Sequence, residues 1–156
     1  MFHYLKKATW EPTFSKEIQK IKTIEDYAIS VFAEDNWMVR FLTNKMTDMV
    51  TRKDLEVAKE ILRRKCLVGI MVDVEGSIRR FNRYFGWTDK LDETNQISQQ
   101  CVQKYLSGGS NKNKHELVEE GGMGWKILRA NNLLDLELYE YVLQLYEEQS
   151  ALIPSN

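Results

Sequence analysis

The sequence predicts an α/β fold that is rich in helix and carries one clear strand. Three observations support this. Several stretches repeat apolar residues at helical spacing behind a capping residue, Cys66–Val72 is a continuous apolar run, and no second run of that kind occurs. The 156 residues carry a formal charge of -1, with 43% hydrophobic and 11% aromatic content. That composition describes one soluble globular domain over residues 1–150 with a tail at 151–156, and it disfavours disorder. The near-neutral balance lacks the basic excess that phosphate neutralisation needs, which argues against a nucleic-acid binder. No apolar stretch approaches the roughly 20 residues of a membrane-spanning helix. The first residues, Met1-Phe2-His3-Tyr4-Leu5-Lys6-Lys7, lack the order of a signal peptide. Cys66 and Cys101 fit neither a disulfide framework nor a four-ligand metal site.

Element by element, Met1 to about Trp10 reads as the end of a helix, stopped by Glu11-Pro12. Thr23-Ile24-Glu25-Asp26 resembles a capping box and opens a helix with Tyr27, Ala28, Val31 and Phe32 on one face. Asp35 or Asn36 caps a second short helix, whose stripe Trp37-Met38-Phe41-Leu42 reads as core packing. Thr51-Arg52-Lys53-Asp54 starts a third, with Leu55, Ala58, Ile61 and Leu62 inward and Arg63-Arg64-Lys65 in its last turn, where cations suit the helix dipole. Cys66–Val72 follows as the strand, which must pair with others to satisfy its backbone. Asp73 opens a helix with Ile78, Phe81 and Phe85 inward and Arg79, Arg80 and Arg83 outward, closed by Gly86. A helix over 96–106 precedes a polar loop, Ser107 to His115, and two helices follow, Met123 to Ala130 and Asp135 to about Ser150. The last presents Leu138, Tyr139, Val142, Leu145 and Tyr146 on one face.

Few residues carry a signal for chemistry. The phosphate-loop pattern Gly-x4-Gly-Lys-Ser/Thr is absent. Gly121-Gly122-Met123-Gly124 precedes a helix, but Glu119 and Glu120 would repel an anion there, so a turn is expected. His3 and His115 are the only imidazoles and have no acid or nucleophile at a recognisable spacing. Arg79, Arg80 and Arg83 share a face that either is solvated or holds a sulfate- or phosphate-rich ligand. Ser110, Lys112, Lys114 and His115 lie in a loop that either links elements or binds a nucleotide phosphate.

Three blocks, Leu55-Glu56-x-Ala58-Lys59-x-Ile61-Leu62, Cys66-Leu67-Val68-Gly69-Ile70 and Ser77-Ile78-x-x-Phe81-x-x-Tyr84-Phe85-Gly86-Trp87, together resemble the sulfotransferase family, and most nearly its carbohydrate 2-O-sulfotransferase-like members. Asn131-Asn132-x-x-Asp135-x-x-Leu138-Tyr139-Glu140-Tyr141 is similar to that family's last helix, and Phe2-His3-Tyr4-Leu5 to the stretch after its 3′-phosphate motif. The resemblance implies a P-loop α/β fold that transfers a sulfuryl group from 3′-phosphoadenosine 5′-phosphosulfate to a carbohydrate hydroxyl in the Golgi lumen. It also implies that this chain is the C-terminal half of such an enzyme. The cofactor loop and catalytic base would then lie upstream, the chain alone would be inactive, and the lone strand would pair with strands of the missing half. By position and composition, Ser110, Lys112 and Lys114 would be its cofactor-binding contribution, with no catalytic residue and no metal. The competing expectation is a non-catalytic helical interaction module that docks its strand edge and aromatic N-terminus on a partner chain.

Overall fold

The computed structural model describes residues 20–87, 100 and 118–152, and among these it is helical, with no strand. The elements are α1 (Ile24–Ala28), α2 (Trp37–Thr43), α3 (Arg52–Lys65), a 3₁₀ turn (Met71–Asp73), α4 (Val74–Tyr84), α5 (Met123–Asn131), α6 (Leu133–Glu148) and a 3₁₀ turn (Gln149–Leu152). The predicted helix over 96–106 and the loop Ser107 to His115 lie outside the described residues apart from residue 100, as does the segment before residue 20. No helix among the described residues is long and apolar enough to cross a membrane. The chain forms two compact units, one of Met1–Asp54 with Lys114–Glu137 and one of Leu55–Asn113 with Leu138–Asn156.

In the first unit, α1 opens on the expected capping box. Thr23 Oγ1 accepts from Asp26 N at 3.1 Å, and Asp26 Oδ2 accepts from Thr23 N at 3.3 Å. Tyr27 and Ala28 are buried as predicted, but the helix stops before Val31, which is 94% exposed. At the helix end the Ser30 N–H, at 3.0 Å, and its hydroxyl, at 2.8 Å, both donate to the Tyr27 carbonyl, and the hydroxyl accepts from Phe32 N, a local set of side-chain bonds that competes with further helix. α5 packs on α1 through Gly124, where an added Cβ would lie 3.0 Å from Ile24 Cγ2 and 3.1 Å from Glu25 Oε1.

α2 and α6 cap one another. Asn36 occupies the N-cap position of α2, yet its Oδ1 accepts from Leu134 N and Asp135 N at the start of α6. Asp135 returns the arrangement, its two carboxylate oxygens accepting from Met38 N and Val39 N at 2.9 Å in the first turn of α2. Four orphan donors are satisfied by two short side chains, and the negative carboxylate meets the positive end of the α2 dipole.

In the second unit, Leu55, Ala58 and Leu62 of α3 are buried as the periodicity predicts, and Leu138, Leu145 and Tyr146 of α6 are buried too. Tyr139 departs from its predicted inward face and is 47% exposed. α4 ends as expected: Gly86 has φ 65°, its N–H donates to Arg83 O at 3.1 Å, and Trp87 N donates to Asn82 O at 2.9 Å, which is the pairing of a Schellman motif.

The predicted strand is corrected. Cys66–Ile70 is neither helix nor part of a strand ladder, Ile70 has extended backbone (φ -122°, ψ 140°), and Met71–Asp73 turns into a 3₁₀ helix, leaving Met71 86% and Val72 78% exposed. Side chains do the work of a partner strand. The amide of Gln149, buried just after α6, accepts from Val68 N at 2.9 Å and donates to Cys66 O at 2.8 Å. That is the pair of bonds one residue of a parallel neighbouring strand makes to residues i and i+2. Ser77 Oγ accepts from Ile70 N at 2.9 Å and continues the same edge. The segment's backbone is thus answered by side chains, where the apolar run predicted other strands.

Candidate functional site

The residues singled out for chemistry separate. Ser110, Lys112 and Lys114 lie outside the described residues, as do His3, His115 and Cys101. Arg79, Arg80 and Arg83 do not form one basic face, which corrects the outward placement of Arg80. Arg79 is exposed and pairs with Glu75 at 3.1 Å, while Arg80 is buried. Its guanidinium lies 3.5 Å from the centre of the Tyr146 ring, donates to the Tyr146 carbonyl, and donates to Ser150 Oγ at 2.8 Å. Ring stacking and two acceptors hold the charge inside, so Arg80 is a structural clamp and no anion site forms with its neighbours.

Gly121-Gly122 forms a turn, as expected, and Met123-Gly124 opens α5. Gly121 takes φ +80°, Gly122 donates to Glu119 O, and the Glu25 carboxylate stands beside Gly124 where an anion would have to enter. The carboxylates also have local partners. Asp54 accepts from Lys45 at 2.7 Å and from the Thr51 hydroxyl and N–H, and these hold its carboxyl at about 2, below the ordinary range. Glu60, gripped by Arg63 and then Arg64, is likewise lowered to about 2. Among the described residues no group of three or more His, Cys, Asp or Glu could hold a metal.

What the first unit presents is an apolar face. α2 buries Val39 completely, whereas Trp37 is 39%, Met38 43% and Phe41 58% exposed. Trp37 and Phe41, one helical turn apart, stack at 5.1 Å between ring centres. Met46 and Met49, in the segment that follows, are also exposed. This overturns the expectation that Trp37, Met38 and Phe41 of the Trp37-Met38-Phe41-Leu42 stripe are core, while Leu42 is half-buried. The frame beneath it is firm. Arg40 points away to grip Asp35 with two bonds of 2.8 and 2.9 Å, the Asp35 carbonyl at 2.9 Å, and the carbonyls of Lys45 and Asp48. The left-handed Asn44 closes the helix. Asp135 fixes its start, so both ends of the exposed face are pinned.

Sequence reasoning found Trp37, Met38 and Phe41 as a stripe but assigned them inward. Period alone cannot say which of two neighbouring apolar positions faces the core. It missed Gln149 and the exchange of caps between Asn36 and Asp135, because those pairings join residues about eighty to a hundred positions apart. Compared with known proteins, no family model, curated protein or solved structure matches the chain.

Proposed function

We propose that this chain is a non-catalytic helical module that binds another protein through the exposed face of α2. The observation that carries the reading is the outward display of Trp37, Met38 and Phe41 around a fully buried Val39. Aromatic residues and Met are enriched at the buried centres of protein interfaces, and exposed apolar patches of several large side chains mark such surfaces on soluble domains. A helix pinned at both ends presents that face without an ordering cost on binding. Placing a photo-crosslinking amino acid at position 41, with a control at the exposed Glu147, tests this. A single discrete adduct from position 41 that free Trp37→Ala/Phe41→Ala protein fails to compete away is the expected result. Equal labelling from both positions would overturn it.

The sulfotransferase-like reading is the alternative and rests on the sequence blocks at 55–62, 66–70 and 77–87. In that reading Ser110, Lys112 and Lys114 contact the 3′-phosphoadenosine 5′-phosphosulfate cofactor. Calorimetric titration with 3′,5′-bisphosphoadenosine decides for it if tight binding is seen and is lost in Lys112→Ala/Lys114→Ala.

A further inference from the structure

We propose that the free edge of Cys66–Ile70 pairs with the same segment of a second copy of this chain, as an antiparallel ladder about a two-fold axis at Val68. The surface is separate from the α2 face and belongs wholly to the second unit. In an extended chain the N–H and C=O of one residue point to the same side, and successive residues alternate sides. The Cys66 C=O and the Val68 N–H turn to the Gln149 amide and both groups of Ile70 turn to Ser77, while the Cys66 N–H still donates to Leu62 O at the end of α3. Leu67 and Gly69 therefore direct theirs the opposite way. Among the described residues neither the N–H nor the C=O of Leu67 or Gly69 has a hydrogen-bond partner. Gly69 is exposed and Leu67 half-buried. Phe81 covers one face of Gly69, its Cζ 2.8 Å from where a Cβ would stand, and leaves the edge uncovered.

Two donors and two acceptors spaced two residues apart are matched by another extended backbone. A second copy fits without remainder. Antiparallel pairing that sets Leu67 opposite Gly69 of the second copy, and Gly69 opposite its Leu67, uses the four free groups of each copy in four bonds and closes on itself. The same register sets Lys65 opposite Met71 of the second copy, so the cations at the end of α3 do not face one another. Met71 and Val72, both largely exposed, lie at each end of the ladder and add apolar cover. Four backbone bonds and a few apolar side chains make a small interface, so the pairing is weak and depends on concentration.

Sedimentation equilibrium of the intact chain from micromolar to millimolar concentration, with amide hydrogen exchange at Gly69, tests the pairing. The mass should double as concentration rises, and exchange at Gly69 should slow in step. Leu67→Pro removes one edge donor but none of the bonds to Gln149 or Ser77, and should stay monomeric with unchanged helical circular dichroism. A wild-type chain that stays monomeric, or whose Gly69 exchange ignores concentration, would overturn the proposal. So would a folded Leu67→Pro chain that dimerises as well as wild type. If Leu67→Pro fails to fold, the Gly69 exchange of the wild type decides alone. Trp37→Ala/Phe41→Ala should dimerise normally, which separates this pairing from partner binding at α2.

Discussion

Gln149 is buried and holds two backbone groups of a segment that no strand pairs. Its amide serves two backbone groups of Cys66–Ile70, and a buried donor or acceptor left unpaired costs about 1–3 kcal/mol. Gln149→Ala should therefore lower stability by about 2–4 kcal/mol in urea unfolding, and a loss below about 0.5 kcal/mol would show that the segment finds other partners. Gly69→Ala should cost about 1–3 kcal/mol through overlap with the Phe81 ring, and Phe81→Leu in the same chain should recover part of that loss. Asp54 sets a pH dependence of known sign. Its folded carboxyl is lowered to about 2, chiefly by the Lys45 bond and then by Thr51, so its contribution is present above the ordinary carboxylate range. That contribution fades as pH falls from about 4 toward 2, since the unfolded carboxyl then takes up its proton first. Carboxyl carbon shifts followed through an acid titration should show Asp54 ionised to about pH 2, and Lys45→Met should move its midpoint upward.

At the scale of elements, the exchanged caps join the start of α2 to the start of α6. Asn36→Ala and Asp135→Ala should each cost about 1–2 kcal/mol, and the double variant should cost less than the two together by at least about 0.5 kcal/mol, because each cap needs the other helix in place. Additive losses in urea unfolding would mean that the two helix starts are held separately. Local signals made much of this level legible. The Thr23 capping box, the Leu55, Ala58 and Leu62 spacing, the Asp73 cap on Gly76 N and the Gly86 stop are all written within a few residues of where they act. Cys66–Ile70 was misread because an apolar run bounded by turns has the composition of a buried strand whether strands or side chains answer its backbone. The answer lay in Gln149 and Ser77, at spacings no local pattern records. Arg80 was misplaced for a related reason. Helical period put it beside Arg79 and Arg83, and only the Tyr146 ring and the carbonyl behind it explain why it turns inward.

For the whole molecule, the functional reading depends on which residues of α2 are spare. The candidate face was visible in the sequence as a stripe of Trp37, Met38 and Phe41, but its direction was fixed by Val39 and by the contacts of Arg40 and Asp135. Interaction through α2 and self-pairing at Leu67 and Gly69 draw on different units, so a chain can lose one and keep the other. The most direct test of the central claim is the stability of Phe41→Ala against Val39→Ala in the free chain, by urea unfolding. With Phe41 58% exposed and Val39 fully buried, the smaller residue should matter more. Phe41→Ala is expected to cost no more than about 1.5 kcal/mol and Val39→Ala about 2 kcal/mol or more. A loss of about 3–5 kcal/mol at Phe41, the range of a phenylalanine taken from a packed core, would place the stripe inside and contradict the account.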